Sequence, residues 1–150
     1  MSQFNPDIND QGVPLGLEKI LMPSSSLSAS TAISITNFAG KGAYFFMNVT
    51  SAFPGSGSTT VALKVKMIPP NATASAVTLA AMVPRSASGM NVLCIYPGAL
   101  RSSTAPSAST DAIMAVFGSP LPRTFNVVAS MSTGATSKEI VLSLGMTAIY

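Results

Sequence analysis

Histidine and tryptophan are absent from this 150-residue chain, which also contains only one cysteine and five acidic residues. Without histidine, the chain cannot form Ser-His-Asp or Cys-His catalytic arrangements or the usual zinc ligand sets. Without tryptophan, a stacking platform for sugars or bases is weakly supported. The one cysteine, Cys94, cannot form a disulfide within the chain, and its apolar neighbours predict a small buried side chain. The sequence therefore predicts a protein that is not an enzyme and that has no cofactor and no metal.

The reactive groups that remain do not form a recognisable site. Ser137 adjoins Lys138, but neighbouring residues on a strand point to opposite faces. Asp7 and Asp10 could be imagined in a calcium site, although oxygen-ligand sites usually recruit more carboxylates. The glycine-rich stretch 55–57 lacks the flanking lysine and the following helix of a phosphate-binding loop.

Charge is scarce as well. Charged residues make up 9% of the chain and hydrophobic residues 47%, and the mean hydropathy is +0.46, whereas about 25% of the residues in a typical domain are charged. Large bare apolar patches tend to associate. The most apolar run, residues 43–49, is shorter than the about 20 residues of a transmembrane helix. We therefore expect other protein chains, and not a membrane, to cover this surface.

The net charge of +3 does not predict a nucleic-acid partner. Phosphate binding needs clustered basic residues, and here only Lys64 and Lys66 share a local face. The other lysines and arginines are scattered, and we expect them on solvated strand edges and loops.

The N-terminal residues 1–14 are mainly polar and contain Phe4 and Ile8 as isolated apolar side chains. They predict an extended arm that a neighbouring domain or chain holds, followed by one folded domain at 15–150. The start of the chain lacks the basic and apolar regions of a signal peptide, so we expect synthesis in the cytoplasm without a cleaved export signal.

Short segments of alternating hydropathy fill the rest of the chain and predict strands. In the clearest of them, residues 59–67, Val61, Leu63 and Val65 alternate with polar or small residues. The alternation in 76–83 places Val77, Leu79, Ala81 and Val83 on one face. The predicted strands are 31–37, 43–52, 59–67, 76–83, 90–96, 112–117, 123–131 and 139–149.

Two further segments are predicted to lie outside these strands. Residues 15–22, between Pro14 and Pro23, fit either a short helix or an edge strand, and 24–26 form a serine linker. Residues 101–109 predict the longest loop, which either makes contacts or is simply mobile. About seven or eight strands with turn residues between them predict an all-β, single-domain antiparallel β-sandwich or jelly roll.

Five segments, taken together, carry a resemblance. They are Leu-Glu-Lys-Ile-Leu at 17–21, Thr-Ala-Ile-Ser-Ile at 31–35, Gly-Ala-Tyr-Phe-Phe-Met-Asn-Val at 42–49, Val-Ala-Leu-Lys-Val-Lys at 61–66, and Leu-Pro-Arg-Thr-Phe-Asn-Val-Val at 121–128. In this order, with a closing C-terminal strand, they resemble the jelly-roll cement (head decoration) proteins of some short-tailed bacteriophages. The resemblance covers residues 15–150 and rests on strand patterns, without a catalytic signature.

This resemblance implies a structural virion protein, a capsid decoration subunit that binds the outside of the phage head and stabilises the shell after DNA packaging. It implies two partners, the major capsid protein and further copies of the chain in a homodimer or homotrimer. The expected contact residues are Phe4, Asp7, Ile8, Arg101 and Tyr150. The alternatives are another virion component (a tail, fibre or small jelly-roll coat protein), a carbohydrate-binding module and an enzyme.

Overall fold

The computed structural model describes residues 19–36, 40–50, 60–68, 76–99, 112–132 and 140–149, and within these ranges it contains strands and no helix. This confirms the all-β prediction. The strands are β1 (Lys19–Leu27), β2 (Thr31–Thr36), β3 (Gly42–Val49), β4 (Thr60–Met67), β5 (Val77–Ala81), β6 (Gly89–Ile95), β7 (Ala112–Phe117), β8 (Thr124–Ser132) and β9 (Ile140–Ile149).

The strands form two sheets that pack as a sandwich. The five-stranded sheet has the order β1-β9-β3-β6-β7, and the four-stranded sheet has the order β2-β8-β4-β5. All neighbours pair antiparallel except β6 and β7, which run parallel. The sandwich prediction is confirmed, although the parallel pair departs from the fully antiparallel sheets that were expected. The jelly-roll connectivity, the arm at 1–14 and the domain limits stay predictions.

Strand β1 is an edge strand, which confirms for residues 19–22 one of the two alternatives that the sequence left open for 15–22. It corrects the predicted serine linker, because the chain stays extended through Pro23 and the three serines. The register with β9 shifts by one residue between Ile20 and Met22 and again between Met22 and Ser25. Pro23 lies in the second of these irregularities. Since β1 is an edge strand and a bulge leaves a residue unpaired, the missing N–H of proline costs no ladder hydrogen bond there.

The inner faces of the two sheets form one hydrophobic core. Phe45 of β3 and Phe125 of β8 meet across it edge to face, with ring centroids 5.7 Å apart and an interplanar angle of 84°, an arrangement that the aromatic quadrupoles favour. The alternation predicted for β3, β4, β8 and β9 is confirmed. The largest fully buried side chains are Phe45, Phe125, Met47, Leu63, Leu93, Ile95, Ile140, Leu142, Leu144, Val49, Val61 and Val65.

Strand β5 does not follow the alternation that its sequence predicts. Val65 pairs with Ala80 and Lys66 with Thr78, so Leu79 is the extra residue of a β-bulge. The bulge reverses the side-chain alternation, as such insertions do. Consequently Ala80 is buried, whereas Ala81 of the predicted inner face is exposed. Val77, which precedes the bulge, stays on the predicted face opposite Met67 and is 52% exposed at the start of this edge strand.

Candidate functional site

The five contact residues predicted from the sequence lie outside the described residues. They are Phe4, Asp7, Ile8, Arg101 and Tyr150, and the same holds for the predicted arm and for the loop 101–109. Ser137 and Lys138 also lie outside the described ranges. These assignments therefore stay predictions. The candidate site that the structure describes lies on the two sheets.

The outward-facing side of the five-stranded sheet is apolar. One row of cross-strand neighbours runs across all five strands: Met114 beside Val92, then Phe46, Gly145 and Ile20. Phe46 and Val92 are half-buried, while Met114 is 50% and Ile20 69% exposed. The row thus has an aromatic ring near its middle and uncovered aliphatic side chains at both ends.

A second row, parallel to the first, places Val116, Cys94, Tyr44 and Thr147 side by side. A third row places Met90, which is 37% exposed, beside the uncharged polar side chains of Asn48 and Ser143. None of the described residues in these three rows carries a charge. We call this surface the apolar outer face, and we define it by Ile20, Tyr44, Phe46, Met90, Val92, Cys94, Met114 and Val116.

The outward-facing side of the four-stranded sheet is mainly polar, although Val128 and the alanines Ala32, Ala62 and Ala81 also lie on it. Ser34 donates a hydrogen bond from its hydroxyl to Asn126 Oδ1 at 2.7 Å across β2 and β8, and Lys66 follows Asn126 in the same row. Lys64 lies one row away on the same side. We call this surface the polar outer face, and we define it by Ser34, Thr36, Lys64, Lys66, Thr78, Thr124, Asn126 and Ser130.

Arg85 lies between the two sheets and is only 5% exposed, which corrects the expectation that the basic residues occupy solvated positions. Its backbone bridges to Val61 of β4, with N···O distances of 3.0 and 2.8 Å. Its guanidinium donates to the carbonyl oxygens of Ala87, Ser88 and Met90 at 3.2, 2.9 and 3.0 Å. It also donates to Asn91 Oδ1 at 2.8 Å.

The contacts of Arg85 are structural. The planar guanidinium presents five N–H donors in a fixed geometry. Here its hydrogen bonds stabilise the turn that leads from the four-stranded sheet into β6. Asn91, on the inner face of β6, is fully buried, and its Nδ2 has no partner in the described structure. Sequence reasoning missed this cluster, because one arginine before a Ser/Gly turn does not differ from a surface residue in a hydropathy pattern.

Cys94 lies on the apolar outer face and is 5% exposed, which confirms the prediction of a small buried side chain. Burial raises the pKa of its thiol, and a hydrogen bond with Tyr44 partly opposes that rise. The thiol therefore stays protonated at neutral pH. Because the thiolate is the reactive form, this cysteine is a poor nucleophile.

Metal-ligating side chains are scarce in the described part of the chain. All five acidic residues, Asp7, Asp10, Glu18, Asp111 and Glu139, lie outside the described ranges. The described residues contain no group of three or more histidine, cysteine, aspartate or glutamate side chains that could hold a metal ion. In the same residues, no helix is long and apolar enough to cross a bilayer.

No protein-family model matches the chain, and no curated protein or solved structure matches it.

Proposed function

We propose that this chain is a structural virion protein, a capsid decoration (cement) subunit that binds the outside of a bacteriophage head and is not an enzyme. The observation that carries the proposal is the apolar outer face. None of the described side chains on this surface of the β-sandwich carries a charge. Such a surface favours association over solubility as a free monomer. The chain-wide scarcity of charge points in the same direction.

The proposed mechanism is linkage between binding and assembly. A partner that binds the assembled shell better than its free subunits stabilises the shell. Many copies add their contributions through multivalency. The proposed partners are the major capsid protein and further copies of this chain, and neither a nucleic acid nor a membrane is among them. The proposed location is the outer surface of the virion, reached after synthesis in the host cytoplasm.

Co-sedimentation tests this proposal. Purified protein is mixed with heads that lack it, and the bound copies per head are counted as the protein concentration rises. We expect saturation at a fixed copy number, and we expect the decorated heads to survive heat or a chelator better than bare heads. If a well-folded protein does not bind, the decoration role is wrong, and a tail or fibre role becomes the better explanation.

The predicted arm offers a sharper version of the same test. Deletion of residues 1–12 should reduce head binding and leave the circular dichroism and the thermal midpoint unchanged, because inserted arms contribute contacts without adding to the core. A full-length variant with Phe4→Ser and Ile8→Ser separates the two apolar side chains from the rest of the arm. Undiminished binding by the deleted chain would contradict the role of the arm.

A further inference from the structure

We infer that the apolar outer face of the five-stranded sheet is the surface on which a second copy of this chain docks, sheet against sheet. This inference rests on the proposed function, because it names the surface through which copies of the decoration subunit associate. It is tested on the free protein, so its failure is separate from a failure to bind heads.

Charge favours a second copy as the occupant. In a two-fold contact the same patch comes from both partners, so a patch with charges of one sign faces a patch with the same charges. The apolar outer face avoids this repulsion, since its described residues carry no charge. The polar outer face does not, because Lys64 and Lys66 would be brought toward their own copies.

Area also favours a second copy. Strands lie about 4.8 Å apart and residues on one face repeat about every 7 Å along a strand, so five strands and three rows cover roughly 500 Å². Two copies would together bury about 1,000 Å², which is the size at which a specific protein–protein interface becomes plausible. The row from Met114 to Ile20 spans the full width of the sheet, so the contact does not depend on one or two side chains.

The position of Phe46 fits the centre of such a contact. Phe46 belongs to β3, the middle strand of the sheet, and to the middle row of the face. Buried aromatic side chains near the centre of an interface often carry most of its binding energy. Met114 and Ile20 belong to the two edge strands, β7 and β1, where they would lie at the rim.

Sedimentation of the full chain over a range of concentrations tests the inference. We expect a wild-type dimer, and we expect Met114→Lys and Ile20→Lys each to raise its dissociation constant by about tenfold or more. The matched control is Val83→Lys, which adds the same charge at a valine that is 51% exposed just after β5 of the other sheet. This control should change the constant by less than about threefold.

Photo-crosslinking provides a second readout that does not depend on a charge. A benzophenone analogue of phenylalanine at position 46 should give a covalent dimer, whereas the same group at position 83, where Val83 is 51% exposed, should not. A monomeric wild-type chain would overturn the inference. So would an oligomer that Met114→Lys and Val83→Lys weaken equally, or crosslinks that form only at position 83.

Discussion

The two sheets of this protein have similar inner faces and opposite outer faces. Both inner faces consist mainly of buried aliphatic and aromatic side chains, with Asn91 as a buried polar residue among them. Outside, the four-stranded sheet presents hydroxyls, an amide and two lysines, whereas the described residues of the apolar outer face present methionine, valine, isoleucine and aromatic rings. The core explains why the chain folds, but it does not explain why one outer face is apolar.

This difference is the ground on which we propose the five-stranded sheet as a contact surface. Antiparallel sheets usually alternate between a buried apolar face and a solvated polar face, and sheets that are apolar on both faces are usually covered on both. The four-stranded sheet follows the first pattern. In β3 of the five-stranded sheet, Phe45 points to the core and Phe46 points outward, which is the second pattern. The five-stranded sheet thus fits the contact with a second copy that we propose.

The largest expected effect separates these two phenylalanines. Phe45→Ala should lower the free energy of unfolding by about 3–5 kcal/mol, because it leaves a cavity opposite Phe125 in a fully packed core. Phe46→Ala should lower it by only about 1 kcal/mol, because the ring is half-buried. Urea denaturation followed by circular dichroism, at one fixed protein concentration, measures both changes.

If the two substitutions cost the same, the outer face is as well covered as the core within a single chain, and the contrast between inside and outside fails. Measuring Phe46→Ala at two protein concentrations sharpens the result. A cost that grows with concentration shows that the ring packs against a second copy, since binding to the folded state adds to its stability by mass action.

Much of this fold could be predicted from the alternation of side chains. Hydropathy with a period of two identified the buried residues of β3, β4, β8 and β9, because each of these strands keeps a regular register. The errors fall where the register breaks. Leu79 reverses the alternation in β5, and the bulges of β1 accommodate Pro23. A bulge depends on the pairing with another strand, which no local pattern in the sequence reports.

The candidate site was less predictable. The small number of charged residues predicted that other protein chains cover part of the surface. Which face is apolar, however, depends on which strands become neighbours in the sheet. Met114 and Ile20 are more than ninety positions apart in the sequence and belong to one row only because β7 and β1 join the same sheet. The predicted contact residues came instead from the arm, the long loop and the C-terminus, and they lie outside the described residues.

A smaller effect is expected at Arg85, which connects the two sheets. Arg85→Met should lower the free energy of unfolding by about 2–3 kcal/mol, because the buried Asn91 Oδ1 loses its donor and the carbonyl oxygens of the turn must find water. The control is Arg123→Met, since Arg123 is exposed and its loss should change the stability by less than about 0.5 kcal/mol. Chemical denaturation measures both variants.

The outcome at Arg85 also shows whether the two sheets unfold together. Its backbone pairs with β4 of one sheet, while its side chain binds β6 of the other. We therefore expect Arg85→Met to unfold in a single cooperative transition, and we expect its free energy of unfolding to depend on urea concentration as that of the wild type does. Equal stabilities for Arg85→Met and Arg123→Met would contradict the structural role of the guanidinium. Two separate transitions would mean that the sheets with different outer faces are also separate folding units.

The smallest expected effect concerns Cys94 on the apolar outer face. Because burial raises the pKa of this thiol, folding holds its proton more tightly than the unfolded chain does. Its contribution to stability is complete below the usual thiol pKa of 9.0 and is lost as the pH rises through the raised value. The free energy of unfolding of the wild type should therefore fall, relative to that of Cys94→Ala, only in this alkaline range.

The rate at which iodoacetamide alkylates Cys94 reports the same rise in the pKa of the thiol. It also tests whether the hydrogen bond with Tyr44 lowers that pKa. At pH 8 the folded chain should react much more slowly than the urea-unfolded chain, because little thiolate is present and the sulfur is covered. Tyr44→Phe removes a hydrogen bond that lowers the pKa, so this variant should react more slowly still. Faster alkylation of Tyr44→Phe would show that covering by the tyrosine, and not the pKa, limits the reaction. Slower alkylation at higher protein concentration, in the wild type but not in Met114→Lys, would place the second copy over this same thiol.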